Sequence, residues 1–113
     1  MHELSIAVSI VDGVLDEAQR RGGLSVDAVH VRIGRLAGVD KDALLFAYQI
    51  ACQDTPLAES RLEIEDVSVI IFCPACAEER EADGGMFCPQ CGTLATRVVQ
   101  GEELEIRALE VAG

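Results

Sequence analysis

Four of the five cysteines fall in two Cys-x-x-Cys pairs, Cys73-Pro74-Ala75-Cys76 and Cys88-Pro89-Gln90-Cys91, separated by eleven residues. In such a knuckle both sulfurs can face one centre while nearby backbone N–H groups donate to the thiolates. Two knuckles therefore complete a tetrahedral site, with metal–sulfur distances of about 2.3 Å for zinc. A closed four-thiolate set has no open position for a substrate, so its default role is structural. The same ligands would also suit iron in a rubredoxin-like site, and each pair alone could act as a redox dithiol. Gly92 follows the last Cys of the second knuckle, which makes it the better formed; Ala77 holds that place in the first. The fifth thiol, Cys52, reads as a small core residue near the end of a helix.

A second constellation is Met1-His2-Glu3. A free α-amine, the deprotonated amide nitrogen of His2 and the His2 imidazole can close fused chelate rings on one metal. The amide nitrogen of Glu3 could fill the fourth corner of a square plane. Nitrogen-rich square-planar geometry suits Ni(II) or Cu(II) and fits zinc poorly. The plain alternative is an ordinary start to a chain, and the residues alone do not separate the two.

Elements of regular structure must position these groups. Leu4, Val8, Val11, Leu15 and Ala18, widened by Ala7, Ile10 and Val14, form an apolar stripe at helical spacing over residues 4–21. Glu3 precedes it, and Arg20, Arg21 and Gly22-Gly23 close it. Val26 to Ile33 alternates as a strand, with Val29, Val31 and Ile33 on one face and Ala28, His30 and Arg32 on the other. Gly34 to Val39 reads as a loop. Asp40 is placed to cap a second helix running to about Cys52, with Leu44, Ala47, Tyr48 and Ala51 on its apolar side. Two further alternating stretches, Leu62/Ile64 against Glu63/Glu65 and Leu104/Ile106/Ala108 against Glu103/Glu105/Arg107, supply two more strands. The expected fold class is α+β: a small three-stranded sheet covered by two helices on one face, with an inserted four-cysteine, zinc-ribbon-like domain. Residues 1–67 and 101–113 make the α/β domain and residues 68–100 the insert. Some thirty residues cannot bury enough apolar surface to fold alone, so a metal must hold that insert together. Its linker has room for a hairpin around Asp83-Gly84-Gly85.

Composition narrows the function classes. Nine Lys+Arg against twenty Asp+Glu give a net charge of −11 over 113 residues. Such a surface repels phosphate backbones and anionic lipid, which argues against nucleic-acid and membrane partners. Four aromatic residues and no Trp leave no stacking platform for bases. Unbroken apolar runs such as Val69 to Cys73 are far short of a membrane span, and no secretory leader is visible. An odd cysteine count in that context favours thiolate metal ligation over disulfides and points to the cytoplasm. No nucleophile–base pair or phosphate-binding loop is present, so an enzyme is not expected.

Met1-His2-Glu3-Leu4-Ser5 opening an amphipathic helix, the stretch Ile33-Gly34-Arg35-Leu36-Ala37-Gly38-Val39, the two knuckles, and Gly101-Glu102-Glu103-Leu104 before the last strand together resemble the HypA/HybF family. These are nickel metallochaperones of [NiFe]-hydrogenase maturation, and the resemblance spans essentially the whole chain. It implies that His2 is the principal nickel ligand, with Met1 and Glu3 contributing backbone nitrogens, and that Cys73, Cys76, Cys88 and Cys91 hold structural Zn(II). Ni(II) would be cargo. Asp40 lies where the family tolerates an acidic residue near nickel, outside the expected ligand set. The implied partners are a nickel-binding maturation GTPase, the hydrogenase large-subunit precursor and, in some members, urease maturation factors, with the chain itself a monomer or weak homodimer. The competing reading is a zinc-ribbon adaptor in transcription or RNA handling. It lacks a basic patch, since only Arg80 and Arg97 fall in the cysteine segment.

Overall fold

The computed structural model describes residues 2–82 and 85–112. Two helices, α1 (His2–Arg20) and α2 (Lys41–Cys52), accompany six strands: β1 (Val26–Gly34), β2 (Arg61–Val67), β3 (Val69–Cys73), β4 (Glu78–Ala82), β5 (Arg97–Gln100) and β6 (Leu104–Val111). The strands form two three-stranded sheets, ordered β2-β1-β6 and β4-β3-β5. The α+β class and the three-stranded main sheet agree with the sequence pattern. The chain divides into two compact units, residues 1–31, 39–64 and 106–113 in one and residues 32–38 and 65–105 in the other.

In the first unit, α1 buries Ala7, Ile10, Val11, Val14 and Ala18, while Leu4 and Val8 stay exposed. The apolar stripe is wider than the surface available to cover it. The core therefore takes its middle, and the residues expected to lead the stripe lie at its margin. After Arg20, Gly22 and Gly23 adopt positive φ, and the N–H groups of Gly23 and Leu24 both donate to the Ala18 carbonyl. Helix α2 begins as expected: the Asp40 carboxylate accepts from the Ala43 N–H at 3.1 Å. Its buried face is Leu44, Ala47, Tyr48 and Cys52, so the lone cysteine is a core residue, and Tyr48 bonds Ser60 at 2.7 Å.

Strand β1 buries Val29, Val31 and Ile33 as its alternation requires, and also Val26 and Ala28 at its start. Beyond that start its other face carries ion pairs, with His30 bonding Glu110 at 2.7 Å and Arg61 joining Glu110 and Glu63, both at 2.9 Å. The last strand corrects the sequence reading. Ile106 reaches toward α1 at Gly13, yet Leu104, Ile106 and Ala108 all remain exposed. An edge strand has cover on only one side, so its apolar face stays half in solvent.

In the second unit, β3 pairs antiparallel with both β4 and β5. Its buried cluster is small: Val69, Ile71, Ala82 and Ala95, with Met86 packed against it. The hairpin joining β3 to β4 turns through the first knuckle, Pro74 to Ala77. The turn expected around Asp83-Gly84-Gly85 falls largely outside the described residues. Residues 35–37, read as loop, form one 3-10 turn whose Leu36 N–H bonds the Gly101 carbonyl at 2.8 Å. Here Gly34 crosses Gly101 so closely that a Cβ on Gly34 would sit 2.0 Å from the Gly101 oxygen. The two glycine-bearing stretches singled out in the sequence thus meet; the approach requires glycine at Gly34, while Gly101 needs it for its φ of 124° and its contact with Val69.

Candidate metal centres

Each knuckle is a tight turn fixed by its own backbone. In the first, the Cys76 N–H donates to Cys73 Sγ at 3.4 Å. In the second, the Gly92 N–H bonds the Cys88 carbonyl and the Cys88 N–H bonds the Thr93 carbonyl, both at 2.8 Å. Gly92 reverses the chain at φ 78°, and Ala77 takes the equivalent left-handed conformation at φ 54° without being glycine. The expected difference between the knuckles is therefore energetic, since both turns enter the left-handed region at that position.

The two turns bring the sulfurs of Cys73, Cys76, Cys88 and Cys91 within 4.8 Å of one another. Individual Sγ···Sγ separations are 3.5 Å for Cys73–Cys91, 3.6 Å for Cys76–Cys91 and 4.0 Å for Cys76–Cys88. A tetrahedron of sulfurs around zinc has edges of about 3.8 Å, given metal–sulfur bonds near 2.3 Å, so this arrangement fits a four-thiolate metal site. All four are free thiols.

Their surroundings treat them unequally. Cys91 is brought down to about 6, first by the Thr93 hydroxyl and then by the Thr93 N–H, both of which support the thiolate. Cys76 is pushed up to about 11, chiefly by its hydrogen bond to Cys91, against the pull of Arg80. Cys88 is lowered: its burial opposes the charge, but the Cys91 and Gln90 N–H groups outweigh it. A metal binding here would displace the remaining thiol protons.

At the other end, His2 is the first residue of α1 with its side chain 57% exposed, and its Nδ1 lies 3.6 Å from Glu3 Oε2. The amide nitrogens of His2 and Glu3 sit in the first helical turn, where N–H groups have no intrahelical acceptor. Glu3 is largely covered. Its carboxylate accepts the Asp40 N–H at 3.2 Å, and that bond, first among several, lowers its pKa. Met1, the remaining expected nickel ligand, lies outside the described residues. Asp40, not counted among the ligands, caps α2 and binds Glu3 at once, so it stands beside Glu3. Its helix-cap signal was visible in the sequence; its meeting with Glu3 depends on how α1 and α2 pack.

A family model described as "Hydrogenase/urease nickel incorporation, metallochaperone, hypA" matches residues 1–111. The chain belongs to the HypA family. Among relatives named hydrogenase maturation factor HypA, that of Chloroflexus aurantiacus is 49% identical, covering 97% of this chain and 98% of the relative. That of Alkalilimnicola ehrlichii is 39% identical over 98% of this chain and 99% of its own. The solution structure of the Ni metallochaperone HypA from Helicobacter pylori shares the fold, with a TM-score of 0.69 at 21% identity over 96% of both chains. A second solution structure of a HypA protein gives 0.73 at 23% identity, covering 99% of this chain and 97% of the other. HypA proteins are metallochaperones acting in hydrogenase maturation, not enzymes, and the adaptor reading is set aside. Among the described residues no helix is long and apolar enough to cross a membrane.

Proposed function

We propose that the chain binds Ni(II) reversibly at its N-terminus and delivers it during [NiFe]-hydrogenase maturation, while Zn(II) holds the four-cysteine segment together. The observation that carries the nickel part is the exposed His2 at the first turn of α1, backed by the Glu3–Asp40 hydrogen bond. Exchange needs an accessible chelate, and a chain terminus supplies one. The nitrogen of Met1, the His2 amide and imidazole and the Glu3 amide are the proposed donors. The zinc part rests on sulfur separations that suit a tetrahedral ion. When bound, zinc would supply folding free energy only; Cys73, Cys76, Cys88 and Cys91 would hold it.

We assign residues 1–67 and 101–113 to nickel handling and residues 68–100 to zinc binding. The partners that fit are a nickel-binding GTPase and the hydrogenase large-subunit precursor, with urease maturation factors a further recipient, and the cytoplasm the working compartment. Nickel titration of the purified zinc-loaded protein tests the reading. One tight nickel per chain, abolished by His2→Ala and retained in Cys52→Ala, is expected. Equal nickel affinity in wild type and His2→Ala overturns it.

A further inference from the structure

Four thiolates around a divalent cation make a dianion, and this one sits in a strongly acidic protein. The cysteine segment holds only two cations, Arg80 and Arg97. They go to different faces of the hairpin. Arg97 lies over the Phe72 ring, 4.6 Å from its centre. Phe72 alternates along β3 with Ile71 and Cys73, which therefore point to the opposite face. Arg80 stands directly across from Ile71, and Glu78 across from Cys73, in the antiparallel register. Residues directly opposite share a face, so Arg80 projects on the side that carries Cys73. Its Nε is buried and lacks a hydrogen-bond partner among the described residues, while an outer nitrogen is held by Glu78 at 2.9 Å. A buried guanidinium N–H without an acceptor is costly unless a negative group nearby offsets it. The cysteine cluster lies on the face that Arg80 shares with Cys73, and its thiolates would supply that charge.

We propose that Arg80 is the charge-compensating residue of the four-cysteine site, its guanidinium offsetting the negative charge of the metal-bound thiolates and slowing metal loss. Arg80 is a positioning residue and touches no cargo. This rests on reading the four cysteines as a metal site. The Glu78 ion pair anchors the outer side of the guanidinium and leaves Nε directed inward. Arg97 gives a matched control, being a cation of the same segment on the other face.

The test measures zinc transfer from the full chain to a chromophoric chelator, with Co(II) substitution as the second readout. Arg80→Gln should lose zinc on the order of tenfold faster, the scale of one charge-assisted hydrogen bond. Its sulfur-to-cobalt charge-transfer band should move to lower energy, because the thiolates lose a donor. Arg80→Lys should recover most of the wild-type rate, and Arg97→Gln should change it little. Wild-type rate and band in Arg80→Gln overturn the proposal, as does equal loss in Arg80→Lys and Arg80→Gln. A wild-type chain that takes up neither one zinc nor tetrahedral cobalt would instead overturn the reading of the cysteines themselves.

Discussion

Ala77→Gly should tighten zinc binding. Ala77 occupies the left-handed region at φ 54°, at the place in the first knuckle that Gly92 fills in the second at φ 78°. A side chain there costs about 1–2 kcal/mol because Cβ crowds the following carbonyl. Replacing Ala by Gly also loosens the unfolded chain, which costs about 0.4–1 kcal/mol in the opposite sense. The net gain is about 0.5–1 kcal/mol. Among the described residues the segment's buried cluster is small, Val69, Ile71, Ala82 and Ala95, so forming the turn and binding the metal are one process there. The gain should therefore appear as a roughly two- to fivefold lower zinc dissociation constant, at about 1.4 kcal/mol per tenfold. Competition against a chelator of known affinity measures it. Gly92→Ala should shift affinity by a similar factor in the other direction. Unchanged or weaker binding in Ala77→Gly would refute the claim that the first knuckle carries backbone strain.

Gly34→Ala should destabilise the fold by about 3 kcal/mol or more, because the new Cβ meets the Gly101 carbonyl at 2.0 Å, and urea unfolding would show it. Asp40→Ala removes the cap on the Ala43 N–H and should lower stability by about 1 kcal/mol in thermal melts, while its backbone bond to Glu3 persists. The lowered pKa of Glu3 means its contribution is full above its unfolded value, about 4.3, and lost as pH falls through the folded one. The stability difference between wild type and Glu3→Gln should accordingly be present at pH 7 and shrink as pH falls below about 4.3. Stripping zinc should abolish amide-exchange protection in β3–β5 and spare the interior of α1, where Ala7, Val11 and Val14 are buried.

The parts legible in the sequence were those where local chemistry and burial agree. Asp40 could cap α2 wherever that helix packed, and Val29, Val31 and Ile33 alternate because β1 lies at the centre of its sheet. The cysteine cluster was legible for the same reason, since a knuckle closes on itself. The second sheet was not. Strand β4 is Glu-Glu-Arg-Glu-Ala, with only Ala82 buried, so an edge strand there carries no alternating pattern. Leu104, Ile106 and Ala108 alternate correctly but stay exposed, because periodicity reports a face and not whether anything covers it. Arg80 and the Glu3–Asp40 bond were invisible for a further reason: each depends on pairing between separate elements, which no local window contains.

The proposed nickel donors are nitrogens at the start of the chain. A short histidine-free tag fused ahead of Met1 turns the α-amine into an amide, a far poorer ligand. The same tag after Gly113 touches no proposed donor. Isothermal titration of both forms with nickel at pH 7.5 or thereabouts, near the α-amine pKa of about 7.7–8.0, compares them directly. The N-terminally tagged protein should keep its fold and one zinc but lose tight nickel binding, while the C-terminally tagged protein retains it. Equal nickel affinity in the two forms would contradict that donor set.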